Sequence, residues 1–138
     1  MRHLVARPVL LPALATVAIV AATSPLSHAL AAEVPTGAMR AVSAVHRAAA
    51  SRNYPKLKKL MAPEFTWSFG GDGSADQAIE RWKKEPGYLR NLARVTGLKC
   101  QYRQDRYVEC PINAGTNFRA GFKEVAGTWR MEYFVEGD

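Results

Sequence analysis

The feature that most constrains the fold is a change of sequence pattern at Leu98. Before this residue, apolar side chains recur at intervals of three and four, which is the spacing of amphipathic helices. After it, apolar and polar residues alternate in runs typical of strands, the clearest being 118–124 and 128–136. Helices followed by strands predict an α+β domain, with the N-terminal helices packed on one face of an antiparallel sheet of about four strands.

The first thirty-one residues have the character of a secretory signal peptide. Two arginines precede an apolar run over residues 9–22, and an A-x-A cleavage site ends at Ala31. We therefore expect a signal peptide over residues 1–31 and a single domain over residues 32–138, exported to the periplasm or the extracellular medium. A retained anchor is the alternative, because residues 4–22 approach the ~20 residues that span a bilayer. After cleavage we expect no stable membrane span.

The charge balance bears on the kind of partner. The chain carries a formal net charge of +7, which falls to about +5 without the arginines of the leader. In an exported protein such an excess is directed at anionic envelope components or acidic partners rather than at nucleic acid. We expect a small molecule or an envelope protein as partner, and no nucleic acid.

The N-terminal half predicts two helices and then a strand. The second helix begins after Asn53, a good N-cap, and Pro63 ends it. The strand is expected within 64–71, where Phe65, Trp67 and Phe69 alternate with polar residues. The apolar stripe of the first helix consists of Met39, Val42, Val45 or His46, and Ala49.

Two further helices are predicted before the sheet. Ser74 stands in capping-box register with Gln77, and Gly97 is a stop signal for the last helix. The apolar residues of the two helices are Ala75, Ala78, Ile79, Trp82, Leu89, Leu92, and Val95 or Thr96.

The last two strands predict a hairpin with a definite register. A four-residue turn over 124–127 pairs Lys123 with Thr128. Counting back along both strands pairs Phe122 with Trp129, Ala120 with Met131, and Phe118 with Tyr133 on one face, and Arg119 with Glu132 on the other. Phe134 then points to the opposite face, so we expect it to be exposed, covered by a loop or part of an interface.

Cys100 and Cys110 are the only cysteines. If a turn centres on Asp105, they face each other on one side of a hairpin together with Tyr102 and Val108, while Gln101, Arg103, Tyr107 and Glu109 lie on the other side. Because export makes oxidation the default, we predict a disulfide; two buried thiols are the alternative. Two thiols and one remaining histidine are too few ligands for zinc.

The order of these elements resembles that of the nuclear transport factor 2-like domains, the cystatin-like α+β cones found in many small exported bacterial proteins. The resemblance covers nearly the whole mature chain, through its helix, helix, strand, "WSFGGD" turn and final strands that close on "TWRMEYFVEGD". It implies a curved sheet around a pocket that faces the helices. Members of this fold serve as enzymes, ligand binders or assembly modules, so the fold does not select a function.

His46 is the candidate catalytic residue, because it is the only histidine outside the predicted leader. On the helix stripe beside such a pocket it could act as a general base, with Glu64, Asp72 or Glu80 as the orienting carboxylate. A hydrogen-bonded structural histidine is the alternative. The residues that could bind a ligand are His46 together with the aromatic side chains Trp67, Trp82 and Phe134, and core packing is the alternative for the aromatic ones.

The glycine-rich turn before Ser74 does not predict an ion site. It lacks the lysine of a phosphate-binding loop, and Asp72 and Asp76 would repel an anion. The calcium-loop pattern fails as well, because Gln77 and Lys83 stand where glycine and glutamate are needed. We expect no metal and no cofactor.

Three functions follow from these observations. The first is non-enzymatic binding of a ligand or partner in the periplasm or cell envelope. The second is a small hydrolase or isomerase that uses His46 in the pocket. The third is a homodimeric assembly module that associates through the outer sheet face, which the resemblance also allows.

Overall fold

In the computed structural model of the chain, four helices cover one face of a five-stranded sheet. The structure describes residues 32–68, 73–115 and 117–137, without the side chain of Asp105. The predicted signal peptide therefore lies outside the described residues. The arrangement is the α+β architecture with helices packed on a curved, unclosed sheet that the sequence and the resemblance predict.

The chain alternates between the two layers before it builds most of the sheet. Its elements are α1 (Thr36–Ala50), α2 (Tyr54–Leu60), β1 (Met61–Thr66), α3 (Ala75–Lys84), α4 (Gly87–Thr96), β2 (Gln101–Arg103), a 3₁₀ turn (Gln104–Arg106), β3 (Tyr107–Cys110), β4 (Phe118–Val125) and β5 (Thr128–Glu136). The predicted N-caps are present: the Asn53 and Ser74 side chains accept hydrogen bonds from the backbone amides of Lys56 and Gln77 at 3.0 and 3.1 Å. No described helix has the length and apolar character needed to cross a membrane.

The sheet is mixed, not purely antiparallel. Its strand order is β1-β5-β4-β3-β2, and β1 runs parallel to β5 while the other pairs are antiparallel. The prediction of about four antiparallel strands is wrong in this respect. The reason is that α3 and α4 separate β1 from the other strands, so that β1 joins the far edge through a long crossover connection.

Strand β1 begins earlier than predicted, at Met61 directly after α2. Pro63 lies inside the strand, which is possible because β1 is an edge strand and needs no donor at that position. Trp67 follows the end of β1 and is half-buried against the core. Phe69 and residues 70–72 of the glycine turn lie outside the described residues, whereas Gly73 is described.

The β4–β5 hairpin has a tighter turn than predicted. Ala126 and Gly127 both have positive φ, 50° and 77°, which is the signature of a two-residue type I′ turn. Val125 therefore pairs with Thr128, and every predicted pair shifts: Phe122 with Met131, Glu124 with Trp129, Ala120 with Phe134, and Arg119 with Val135. The predicted register is wrong because the four-residue turn placed two paired residues in the loop.

A β-bulge then reverses the faces predicted for the end of β5. Gly121 pairs with Tyr133 whereas Phe122 pairs with Met131, so that Glu132 is an extra residue on β5. Beyond the bulge, Tyr133 reaches Glu109 on the outer face and Phe134 packs in the core. The expectation that Phe134 is exposed or at an interface is wrong, since only 1% of it is exposed.

The core lies between the helices and the sheet, and aromatic rings fill its centre. The Trp82 ring makes edge contacts with Phe65 and Phe134, both with centroids 5.7 Å apart, and Phe134 stacks on Phe118 at 5.2 Å. Met39 is not part of the buried stripe of α1, being 39% exposed. The residues of α1 that are buried are Ala38, Ala41, Val42, Val45, Ala48 and Ala49.

The β2–β3 hairpin has the predicted register and disulfide. Tyr102 pairs with Val108 and Arg103 with Tyr107, with Cys100 bonded to Cys110 beyond them. No free cysteine occurs in the described part of the chain. The cross-link holds the edge strand β2 to the sheet.

Candidate functional site

The inner face of the sheet is filled by side chains where the resemblance implied a pocket. Phe65, Trp82, Phe122, Met131 and Phe134 are each 1% exposed or less and belong to one buried cluster. Trp82 and Phe134 are therefore core residues in this structure, and the candidate binding role that we assigned to them lacks an accessible surface.

Trp67 lies at the margin of this core, and its indole Nε1 is buried without a hydrogen-bond partner among the described residues. A buried N–H without an acceptor is unfavourable by roughly 1–3 kcal/mol. The indole N–H of Trp67 is thus a hydrogen-bond donor without a described acceptor, next to the described end of β1.

His46 lies at the contact between α1 and α4. Its Nδ1 is 2.8 Å from the carbonyl oxygen of Ala93, which can only accept, so Nδ1 carries the proton and donates. The hydroxyl of Thr96 is 3.4 Å from the same nitrogen. This geometry is that of a structural histidine that ties two helices together.

The carboxylates proposed to orient His46 are not among its described hydrogen-bond partners. Glu80 forms a 2.7 Å ion pair with Lys83 on α3, and Glu64 lines a concavity on the other side of the sheet. Asp72 lies outside the described residues. In the described structure a backbone carbonyl, not a carboxylate, orients His46.

The polar side chains that do converge lie on the outer face of the sheet. We call the following five residues the outer-face cluster: Arg103, Tyr107, Glu109, Glu132 and Tyr133. Tyr133 donates to Glu109 Oε2 at 2.5 Å, and Arg103 donates to Glu109 Oε1 at 2.8 Å. The alternation of β2 and β3 predicts three of these positions, and the bulge of β5 adds Tyr133 beside Glu132.

A glycine makes the central contact of the cluster possible. Gly121 on β4 pairs with Tyr133 on one side and with Glu109 on the other. A Cβ atom on Gly121 would lie 2.0 Å from Cε1 of the Tyr133 ring, so the ring rests directly on the glycine backbone. The ring thereby crosses β4 and brings its hydroxyl to a carboxylate two strands away.

The ionisation of Glu109 follows from these contacts. Partial burial opposes its charge, but the hydrogen bonds from Tyr133 and Arg103, with the charges of Arg103 and Arg119, outweigh burial and lower the pKa of the carboxyl. Glu109 is therefore held as a carboxylate. It anchors the cluster instead of serving as an acid near neutral pH.

Both tyrosines of the cluster are held neutral. Burial and then the hydrogen bond to Glu109 raise the pKa of Tyr133. The neighbouring Glu132 carboxylate is the main cause that raises the pKa of Tyr107, with burial second and Lys123 opposing. Neither phenol is suited to act as a base or nucleophile, but both hydroxyls are suited to hydrogen bonding.

The cluster borders three concavities. The largest of the three has a volume of about 420 Å³ and is lined by Glu64, Thr66, Ser68, Gly73, Tyr107, Glu132 and Tyr133. Neighbouring concavities of about 270 and 210 Å³ share Tyr133 and Glu109, and Arg119 lines the larger of the two. We call this largest one the outer concavity; His46, Trp67, Trp82 and Phe134 are not among its lining residues.

One atom of the outer concavity lacks a partner. Oε2 of Glu132 is buried and accepts no hydrogen bond from any described residue. Carboxylate oxygens that are buried are ordinarily satisfied by a protein donor, a water or a ligand. Glu132, in the wall of the outer concavity, thus has a carboxylate oxygen that no described donor satisfies.

The described residues do not bring together three side chains of the kinds that hold metal ions. Glu64 and Glu132 are the two carboxylates of the outer concavity, and the other lining oxygens are hydroxyl groups. Carboxylate and hydroxyl oxygens accept hydrogen bonds, so this lining matches a ligand that donates them.

Sequence reasoning missed the outer concavity because it placed Tyr133 on the inner face. The signal that could have found it is Gly121, since a glycine inside a strand marks a bulge or a close approach of another group. Arg103, Tyr107 and Glu109 were predicted on the correct face.

The solved structures that are similar to this chain include the following three. An NTF2-like protein of unknown function from Shewanella oneidensis MR-1 is 9% identical with a TM-score of 0.45, covering 74% of this chain and 97% of its own. An M. tuberculosis LEH-like epoxide hydrolase is 13% identical with a TM-score of 0.44, covering 74% and 82%. An NTF2-like protein of unknown function from Cytophaga hutchinsonii ATCC 33406 is 13% identical with a TM-score of 0.38, covering 75% and 89%.

No protein-family model and no curated protein matches the chain. Similarities at this level of identity carry no chemistry over to this chain. Its function therefore has to be argued from its own residues.

Proposed function

We propose that this protein is an exported, non-enzymatic binding module whose ligand occupies the outer concavity. The single observation that carries the proposal is the buried Oε2 of Glu132, which accepts no hydrogen bond from a described residue and belongs to the wall of a space of about 420 Å³. A ligand with a hydrogen-bond donor would satisfy it.

Export is supported by the N-terminal sequence and by the disulfide. The Cys100–Cys110 bond is of the kind that persists in oxidising compartments such as the periplasm. A location in the periplasm or the cell envelope agrees with both observations.

Binding without catalysis is supported by the state of the titratable groups. Glu109 is held ionised, Tyr107 and Tyr133 are held neutral, and His46 donates to a backbone carbonyl at a helix contact. A general acid or base needs a pKa near the working pH, and the shifts at Glu109, Tyr107 and Tyr133 run away from neutrality.

The lining groups favour a small amine as the ligand. Two carboxylates and several hydroxyl oxygens face the outer concavity, and no lysine or arginine is among its described lining residues. An ammonium group donates up to three hydrogen bonds and is attracted by the carboxylates. We propose a primary amine that donates to Glu132, with Glu64 as the second carboxylate.

Thermal unfolding in the presence of small molecules tests the proposal. The probes are small primary amines, such as ethylamine and 1,4-diaminobutane, set against acetate and ethanol. At a concentration of about 100 times Kd, a bound amine should stabilise the protein by about 2.7 kcal/mol. That corresponds to a Tm rise on the order of 10 °C for a domain of this size.

The variant Glu132→Gln should remove the response to amines. Glu124→Gln is the matched control, because it removes one exposed carboxylate of the adjacent strand that does not line the outer concavity. A response to amines that survives Glu132→Gln, or an equal response to acetate, would contradict the proposed ligand class.

A further inference from the structure

A second surface, away from the outer concavity, combines exposed apolar and basic side chains. Leu98 is 47% exposed and Met39 is 39% exposed, and both line an open concavity of about 650 Å³ between the start of α1 and the start of β2. Among the described residues only Val125 is a further exposed large apolar side chain. Exposed apolar groups gathered in one place mark an interaction surface.

Three basic side chains and one acidic side chain, Glu33, border this apolar area. Lys99 lines the same concavity, and Arg40 and Arg47 line a neighbouring one that shares Met39. All three are exposed, and none forms an ion pair with a described residue. We call the five residues Met39, Leu98, Arg40, Arg47 and Lys99 the α1–β2 surface.

The α1–β2 surface lies beside the start of the described chain. Residues 32–34, where the described chain begins, line the concavity that contains Leu98. In the sequence they follow the apolar run over residues 9–22 by about ten residues. The α1–β2 surface is thus the side of the domain nearest in sequence to the predicted signal peptide.

We propose that the α1–β2 surface docks the exported domain on the face of an anionic phospholipid bilayer. Leu98 and Met39 enter the boundary between head groups and acyl chains, and Arg40, Arg47 and Lys99 contact the phosphate groups. This combination of apolar side chains ringed by cations is the arrangement by which proteins lie on membranes without crossing them. Charge complementarity selects an anionic bilayer over a neutral one.

Vesicle sedimentation with the chain that starts at Ala32 tests this proposal. That chain contains every helix and strand that the structure describes, together with the disulfide. The probes are vesicles of phosphatidylglycerol mixed with phosphatidylcholine, and vesicles of phosphatidylcholine alone. Binding should be confined to the anionic vesicles and should weaken as salt is added, because salt screens exposed charges.

The basic residues are tested with the triple variant Arg40→Gln, Arg47→Gln and Lys99→Gln. Each cation near an anionic surface contributes about a fivefold factor to partitioning, so the variant should bind roughly 100-fold more weakly. The matched control is the triple variant Lys56→Gln, Lys59→Gln and Lys84→Gln. It removes the same charge from exposed positions that line neither concavity.

The apolar residues are tested with Met39→Gln and Leu98→Gln together. This pair should weaken binding roughly 30-fold, from the apolar area that no longer leaves water. The proposal is overturned if the control triple variant weakens binding as much as the surface variant, or if wild-type protein ignores anionic vesicles. It is also overturned if the chain sediments as a dimer that Leu98→Gln dissociates, because a second copy would then cover the surface. None of these outcomes bears on amine binding at the outer concavity.

Discussion

The contact between Gly121 and the Tyr133 ring makes a quantitative prediction for Gly121→Ala. The new methyl group would lie 2.0 Å from Cε1 of Tyr133, so the ring must leave its position and its hydroxyl must leave Glu109. In a strand without such a contact, alanine is more stable than glycine by about 0.5–1 kcal/mol. The net change in the free energy of unfolding is therefore the loss of the ring contacts minus this gain.

The loss has two parts. A hydrogen bond to a charged acceptor contributes roughly 1.5–3 kcal/mol, and the lower value applies here because Tyr133 is only partly buried. Displacing the ring also loses its contact with Tyr107, whose centroid is 6.4 Å away, for about 0.5–1 kcal/mol. After the gain from alanine is subtracted, Gly121→Ala should destabilise the protein by about 1–2 kcal/mol.

The assay is urea unfolding of the oxidised protein, followed by tryptophan fluorescence, in a double-mutant cycle. In the Tyr133→Ser background the ring is absent, so Gly121→Ala should instead stabilise by about 0.5–1 kcal/mol. The coupling free energy between the two positions should be about 2 kcal/mol. Equal effects of Gly121→Ala in both backgrounds would refute the reasoning.

The variant Tyr133→Phe separates the hydrogen bond from the ring. It should destabilise by about 1.5 kcal/mol. The matched control is Tyr102→Phe, whose hydroxyl has no hydrogen-bond partner among the described residues. The control should stay within about 0.5 kcal/mol of wild type.

Three other predictions concern stability. Phe134→Ala should cost about 3–5 kcal/mol in urea unfolding, because the side chain is fully buried, whereas Val125→Ala at an exposed position should change little. Replacing Cys100 and Cys110 by serine should lower stability by about 3 kcal/mol, because the bond closes a loop with a sequence separation of 10; an unchanged urea midpoint would contradict this. The pKa of Glu109 is lowered in the folded state, so its stabilising contribution is present above the ordinary pKa of 4.5 and is lost as the pH falls below that value. The variant Glu109→Gln should therefore reduce the dependence of the unfolding free energy on pH below 4.5. An unchanged slope would contradict the assignment.

The sequence predicts some residues of the candidate site and not others, as it does for the fold. The β2–β3 hairpin could be predicted residue by residue, because two cysteines and a short turn leave one register. Arg103, Tyr107 and Glu109 were therefore placed on the outer face correctly. Tyr133 was not, because the bulge at Glu132 shifts the alternation by one residue, and alternation alone cannot reveal it.

The sequence by itself determined the α+β class, the helix starts at Asn53 and Ser74, and the disulfide. These features depend on neighbours in the chain: a cap and the amide that it binds are three residues apart, and a hairpin joins adjacent segments. Local chemistry is enough to specify them.

Only the tertiary structure decided the parallel pairing of β1, the burial of Phe134 and the outer concavity. Each depends on groups that are distant in sequence, such as Thr66 beside Tyr133 or Trp82 against Phe134. The bulge of β5 is stabilised by the packing that it permits. It places the Tyr133 ring on Gly121 and the Phe134 ring in the core. That choice creates the site, because it turns Tyr133 outward beside Glu132.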